Sequence, residues 1–228
     1  MRFYKFFISI FLIFTMCFYI TTPVFSEETT YVWSPNNNSL NDSTNDNSSQ
    51  VKETNSEVDE SNSLSLESGS AILIEQTTGQ VLYSHNAHEQ LRPASVTKVM
   101  SILLIMEALD SNKISLTDSV PCSENAASMG GSQIWLDPRE TLTVDEMLKA
   151  ICVNSANDCV VAMSEFIAGS EEAFVQLMND KAKELGMNDT CFKNCHGLDE
   201  DGHVTSAYDI FLMSRELLVN HPTITNYT

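Results

Sequence analysis

The chain has 228 residues, with 12 Lys and Arg against 31 Asp and Glu, for a formal net charge of −19. Hydrophobic residues at 43% support a packed core, which excludes a wholly disordered chain. The acidic balance argues against nucleic-acid partners, because phosphate backbones are held by clustered Lys and Arg. Eight Gly and six Cys are too few at this length for a collagen-like chain or a small disulfide framework.

The first segment reads as an export signal. Arg2 and Lys5 form a positive start, and Phe6 to Ile20 is an apolar run of 15 residues. That is short for a spanning helix, which needs about 20. Val24 and Ser26 are small residues placed for cleavage after Ser26, so residues 1–26 are expected to be a cleaved signal peptide. An uncleaved N-terminal anchor is the alternative. Residues 27–68 are dominated by Asn, Ser, Thr, Asp and Glu, with one Lys and no apolar periodicity. Such a stretch cannot bury enough apolar area to offset its ordering entropy, and is expected to be a disordered linker. The signal carries +2 and the linker −8, so residues 69–228 carry −13 of the total −19.

Within residues 69–228, Ser70–Glu75 and Val81–Tyr83 are β-prone runs separated by Thr77-Thr-Gly-Gln80, a hairpin signal. Pro93 then precedes Ser95 to Leu109, whose apolar residues surround the helix instead of forming a stripe, which predicts a buried helix. Thr143-Val-Asp-Glu146 is a capping box for a helix running to about Val153. A break at Asn154-Ser-Ala-Asn157 separates it from a helix over about Asp158 to Ala168, stopped by Gly169. Ser170 caps the next helix, with Glu171 and Glu172 at its positive end and Gly186 at its close. Ser206 and Asp209 begin a last helix that stops near His221-Pro222. Behind the signal lie five cysteines, an odd number that cannot all pair. Cys191 and Cys195-His196 lack the spacing of a zinc site, so no metal is expected.

Two short motifs carry chemistry. Ser95-Val-Thr-Lys98 places a hydroxyl and an amine on one helical face. A serine alone is a poor nucleophile, but a lysine kept neutral by burial can take its proton. Ser155-Ala-Asn157 lies 60 residues on, in a helix break where side chains can face a cleft. By itself Asn157 reads as an N-cap for the helix from Asp158. Together with Ser95 and Lys98 on a buried helix of an exported chain, the functional reading of Ser155 and Asn157 is preferred.

With these motifs in place, the chain resembles the D-alanyl-D-alanine carboxypeptidases, the low-molecular-mass penicillin-binding proteins. The matching residues are Arg92-Pro-Ala-Ser95-Val-Thr-Lys98, Asn154-Ser-Ala-Asn157-Asp158, Glu184-Leu-Gly-Met187 with Phe192, His196-Gly-Leu-Asp199, Asp201-Gly-His203 and Thr205-Ser-Ala-Tyr-Asp209. The resemblance covers about residues 69–228. It implies an α/β (α+β) fold of the β-lactamase/DD-peptidase kind, with an antiparallel sheet beside a helical cluster. It also implies that Ser95 forms the acyl-enzyme, Lys98 accepts the proton, Ser155 relays protons and Asn157 contacts the substrate amide. The implied partners are peptidoglycan stem peptides ending in D-Ala-D-Ala and β-lactam antibiotics, with no cofactor. Peripheral membrane association through a segment beyond residue 228 is also implied.

One departure stands out. The family's third motif is Lys-Thr-Gly or Lys-Ser-Gly on a strand. Lys52, Lys98, Lys113, Lys149, Lys181, Lys183 and Lys193 are followed by Glu, Val, Ile, Ala, Ala, Glu and Asn, so none begins it. The expectation is a partial catalytic domain, ending before the last strands of its sheet, with little or no activity as given. Two rival readings remain. A serine β-lactamase would need a glutamate to activate the deacylating water, and Glu184 with Asn188 offers a Glu-x-x-x-Asn pattern. A non-catalytic cell-wall or sporulation-associated module would keep the motifs without turnover.

Overall fold

A computed structural model describes residues 66–228. The expected signal peptide, and all of the expected linker except residues 66–68, lie outside the described residues.

The chain opens with a hairpin. Strand β1 (Ala71–Ile74) pairs antiparallel with β2 (Val81–His85), Ala71 opposite His85 and Leu73 opposite Tyr83. The turn is built on Glu75, whose carboxylate accepts from the Thr77 and Thr78 amides and the Thr78 hydroxyl. These donors lower the Glu75 pKa to about 2, the Thr78 hydroxyl first among them. Gly79 takes the left-handed conformation the turn requires, at φ 74°. A lone hairpin is marginal in water. Here Arg215, from the last helix, donates to the Gln76 and Thr77 carbonyls at 2.8 and 3.2 Å and ties the hairpin tip to the helical body.

The central element is α1 (Lys98–Asp110), entered through a 3₁₀ turn over Ala94–Thr97. The all-round apolar sequence is buried as predicted. Lys98, every residue from Met100 to Met106, and Ala108 are shielded from solvent. The helix ends where Asn112 turns left-handed at φ 57° and the Lys113 amide reaches back to Ala108 O at 2.9 Å. Around α1 pack α4 (Asn157–Ala168), α5 (Glu171–Glu184) and α6 (Ala207–Asn220), while α3 (Val144–Asn154) lies against α4. The expected caps are present. Thr143 and Glu146 form a reciprocal capping box, Ser170 accepts from the Ala173 amide, and Ser206 accepts from the Asp209 amide. Left-handed Gly169 ends α4. Phe174, Phe192, Met100, Leu103, Met147, Met163, Met178 and Met213 fill the centre.

Three features depart from the sequence reading. The helix expected from Ser95 is 3₁₀ up to Thr97 and α-helical only from Lys98. Asn157 does not cap α4; Ala156 occupies that position without a side-chain cap, and Asn157 is the first helical residue. A second ribbon, β3 (Ser119–Pro121) with β4 (Thr141–Thr143), and a four-residue helix, α2 (Glu124–Ala127), were not expected. Three-residue strands are too short to show a period of two, so the hydrophobic pattern could not reveal them.

Thr143→Ala removes the α3 cap and is expected to cost about 1 kcal/mol. Urea denaturation should show a lowered midpoint with an unchanged slope.

Candidate active site

The site begins in the 3₁₀ turn. In that geometry side chains three apart eclipse one another. Ser95 is exposed and Lys98 buried. Lys98 Nζ donates to Ser95 Oγ at 3.1 Å and to the His196 carbonyl at 2.7 Å. Desolvation disfavours the ammonium and pushes its pKa down to about 8. At pH 7.5 roughly a quarter of such lysines are neutral, against about one in a thousand at the ordinary value.

A shelf formed by residues 193–203 lies behind this pair. The Cys195 carbonyl accepts from Ser101 Oγ at 2.6 Å, so adjacent carbonyls, Cys195 and His196, receive side chains from adjacent turns of α1. Asn194 closes the shelf, accepting from the Gly197 amide at 2.7 Å and donating to the Leu198 carbonyl at 3.0 Å. Gly197, at φ 94°, packs onto the backbone ahead of the serine: a Cβ there would stand 1.9 Å from the Ala94 carbonyl oxygen. His203 accepts from the Lys193 amide at Nδ1, so its Nε2 carries the proton offered to Thr97 Oγ1 at 2.7 Å. Burial lowers the pKa of both His196 and His203, which favours neutral rings.

The second motif is positioned from the other side. Ser155 closes α3 in the left-handed region, at φ 55°. Its hydroxyl has no hydrogen-bond partner among the described residues. Asn157 donates from its backbone to Ser132 O and from Nδ2 to Gly130 O, both at 2.7 Å. That bond fixes the amide orientation, and it leaves Asn157 Oδ1 buried with no partner among the described residues. Asp158, fully buried, accepts from the Ile134 and Leu136 amides at 3.1 Å each. These bonds pin residues 130–136 to the start of α4. They hold Trp135, 79% exposed, at φ 64° between the two bound amides. A Cβ on Gly131 would lie 2.9 Å from Asn157 Nδ2 and 3.5 Å from Leu198 Cδ2. The second motif and the His196 shelf thus meet at Gly131.

The structure therefore joins Ser95 to Lys98 directly, and links Asn157 to the shelf through Gly131 and Leu198. Sequence reasoning assigned no part in the site's geometry to Thr97, Ser101, Glu171, Asn194, Gly197 or Asp158. Their partners are 70 or more residues away for Thr97 and Ser101, and no local spacing signals such contacts.

The family profile described as D-alanyl-D-alanine carboxypeptidase, peptidase S11, matches residues 53–228. The chain belongs to this family. It is similar to D-alanyl-D-alanine carboxypeptidase DacF of Bacillus subtilis, with 59% identity over 165 residues, which is 72% of this chain and 42% of that protein. The chain thus spans less than half of that relative's length. Its fold is similar to D-alanyl-D-alanine carboxypeptidase DacD from Francisella tularensis, at TM-score 0.69 and 32% identity over 71% of this chain and 39% of that one. It is also similar to penicillin-binding protein D2 from Listeria monocytogenes in its ampicillin-bound form, at TM-score 0.65 and 29% identity, covering 73% and 67% of the two chains. The mixed helix-and-sheet fold is that of the DD-peptidases. In this carboxypeptidase-family fold, Glu184 pairs with Lys181 at 2.8 Å, and Lys181 also pairs with Glu107 of α1 at 2.9 Å. Glu107 is nine residues beyond Lys98, about 13 Å along the helix. Glu184 is thereby held away from Ser95.

Two outcomes follow from this geometry. Gly197→Ala should cost about 3 kcal/mol or more, since both its φ and its space are taken, read as a lowered denaturation midpoint. Lys98→Met should change the pH dependence of stability. The folded Lys98 pKa lies below its unfolded value, so the unfolded chain binds more protons between pH 8 and 10.5. Across that window the wild type should gain about 3 kcal/mol relative to Lys98→Met, measured by urea unfolding at each pH.

Proposed function

We propose that the full-length protein carrying this sequence is an exported serine-type D-Ala-D-Ala carboxypeptidase. It removes the terminal D-alanine from peptidoglycan stem peptides and is acylated by β-lactams. The contact between Lys98 Nζ and Ser95 Oγ at 3.1 Å, with Lys98 buried and its pKa near 8, carries this reading. Neutral Lys98 takes the Ser95 proton as the oxygen attacks the carbonyl of the penultimate D-alanine. The tetrahedral intermediate expels the D-alanine amine, which receives a proton through Ser155. Water then hydrolyses the acyl-enzyme, and Ser95 regains its proton. Asn157 Oδ1, the unpartnered buried acceptor, receives the amide N–H of the bound peptide. Acyl transfer of this kind requires no metal or cofactor. The apolar run after Arg2 and Lys5 supports export, placing the enzyme at the outer face of the membrane or in the wall.

The β-lactamase reading is disfavoured by the placement of Glu184. The two differ in the lifetime of the penicilloyl adduct, which persists for minutes to hours in a peptidase and is hydrolysed rapidly by a lactamase.

The test is labelling of the full-length protein by a fluorescent penicillin, with release of D-alanine measured in parallel. Ser95→Ala should abolish both, and Lys98→Ala should slow acylation about a hundredfold or more. Only the neutral amine accepts the proton. Acylation should therefore rise about tenfold per pH unit below about 8 and level off above it. A profile flat from pH 6 to 9, or labelling that survives in Ser95→Ala, would refute the assignment.

A further inference from the structure

Glu171 is the first residue of α5, where the positive end of a 14-residue helix favours a carboxylate. Its own helix does not need it as a cap, because Ser170 accepts from the Ala173 amide at 3.2 Å. The side chain is instead largely buried, at 19% exposure, and turned toward the shelf. Its Oε1 lies 3.2 Å from the Cys195 amide, 3.3 Å from the Cys195 thiol and 3.4 Å from His196 Nε2. The His196 ring is fixed on its other edge as well. Its Nδ1 accepts from the Leu198 amide at 3.1 Å, which puts the proton of the neutral ring on Nε2, facing Glu171. One carboxylate oxygen thus faces three donors on two consecutive residues.

Those two residues present the carbonyls that receive α1. Cys195 O takes Ser101, and His196 O takes Lys98. The second contact decides what Lys98 can do. A neutral lysine has two N–H groups and one lone pair. With one N–H committed to the His196 carbonyl, the amine cannot rotate freely, and its lone pair can be held toward Ser95 Oγ. The following residue, Gly197, sits at φ 94° and has no side chain with which to anchor the turn. The carbonyl's position therefore depends on bonds made to Asn194, Cys195 and His196.

We propose that Glu171 is a positioning residue for Lys98. It touches neither substrate nor nucleophile. It holds the Cys195–His196 segment so that the His196 carbonyl aims the Lys98 amine at Ser95 and keeps water from it. This inference rests on the acyl-enzyme reading of Ser95. Without Glu171 the segment relaxes and water reaches Lys98. The desolvation that lowers its pKa then weakens, and the amine is protonated at higher pH.

The experiment compares wild type, Glu171→Ala, Glu171→Gln and His196→Ala in the full-length protein. Acylation of Ser95 by a fluorescent penicillin is followed from pH 6 to 10, with circular dichroism and thermal melting on each variant. Glu171→Ala should acylate at least tenfold more slowly at pH 7, with its pH midpoint moved up by about one unit. Glu171→Gln retains an acceptor oxygen and should lose less than threefold, with its midpoint unmoved. His196→Ala keeps the backbone carbonyl but removes one of the donors to Glu171, and should shift the midpoint in the same direction by less. If Glu171→Ala does not fold, His196→Ala decides: a raised midpoint supports the proposal and an unmoved one overturns it. A folded Glu171→Ala with the wild-type midpoint also overturns it, whether or not its rate falls. Failure of the wild type itself to label would instead remove the acyl-enzyme reading, and this inference with it.

Discussion

The structure turns on a lysine that is taken out of water with no carboxylate paired to it among the described residues. Lys98 stands at the start of the central helix, buried, and among the described residues its hydrogen-bond partners are the neutral oxygens of Ser95 and His196. A buried ammonium ordinarily demands a counter-ion. Withholding one is what brings the amine into the range where it can accept a proton near neutral pH. Most of the surrounding architecture can be read as the means of keeping it there. The all-round apolar helix excludes solvent, and the shelf supplies a single carbonyl acceptor. Glu171, the carboxylate behind the shelf, is engaged by the Cys195 amide and thiol and by the His196 ring, and not by the amine itself.

That arrangement explains which parts of the site could be read from sequence. Ser95 and Lys98 are three residues apart, and their contact is nearly dictated by local geometry. The apolar composition of Ser95 to Leu109 supplied the burial that the chemistry requires. The helix caps were equally local, because Thr143 with Glu146, Ser170 with Ala173, and Ser206 with Asp209 each act within four residues. Asn157 was visible as a residue type in a helix break, where a cap competed with the functional reading that the neighbouring motif favoured. The fold rules out the cap, because Asn157 is the first helical residue, donates to Gly130 and Ser132, and keeps Oδ1 without a partner among the described residues.

What stayed hidden is the support behind the Ser95–Lys98 pair. Ser101 reaches Cys195 across 94 residues of chain, and Thr97 reaches His203 across 106. The residue types involved are ordinary ones for a helix or a loop, so neither periodicity nor spacing distinguishes them. The His196-Gly-Leu-Asp199 stretch matched the family as a string of letters. The physical reason for its glycine appears only when the Ala94 carbonyl is found in the space a Cβ would occupy.

The distribution of backbone strain supports the same view of the site. Five non-glycine residues among those described have left-handed φ: Asn86, Ala94, Asn112, Trp135 and Ser155. The two asparagines are the kind of residue that tolerates this region, and Asn112 ends a helix. The other three all belong to the site. Ala94 precedes Ser95, Ser155 opens the second motif, and Trp135 lies on the loop held by Asp158. Each such conformation costs on the order of 1–3 kcal/mol and persists only where its surroundings over-determine it. Those surroundings are identifiable: Gly197 packs against Ala94, helices α3 and α4 clamp Ser155, and Asp158 grips the amides on either side of Trp135. A fold selected for stability alone would have little reason to gather three strained residues, an unpaired lysine and an unpartnered amide oxygen in one place. A fold that presents Ser95, Lys98 and Asn157 in the roles proposed for them has to accept all of them together.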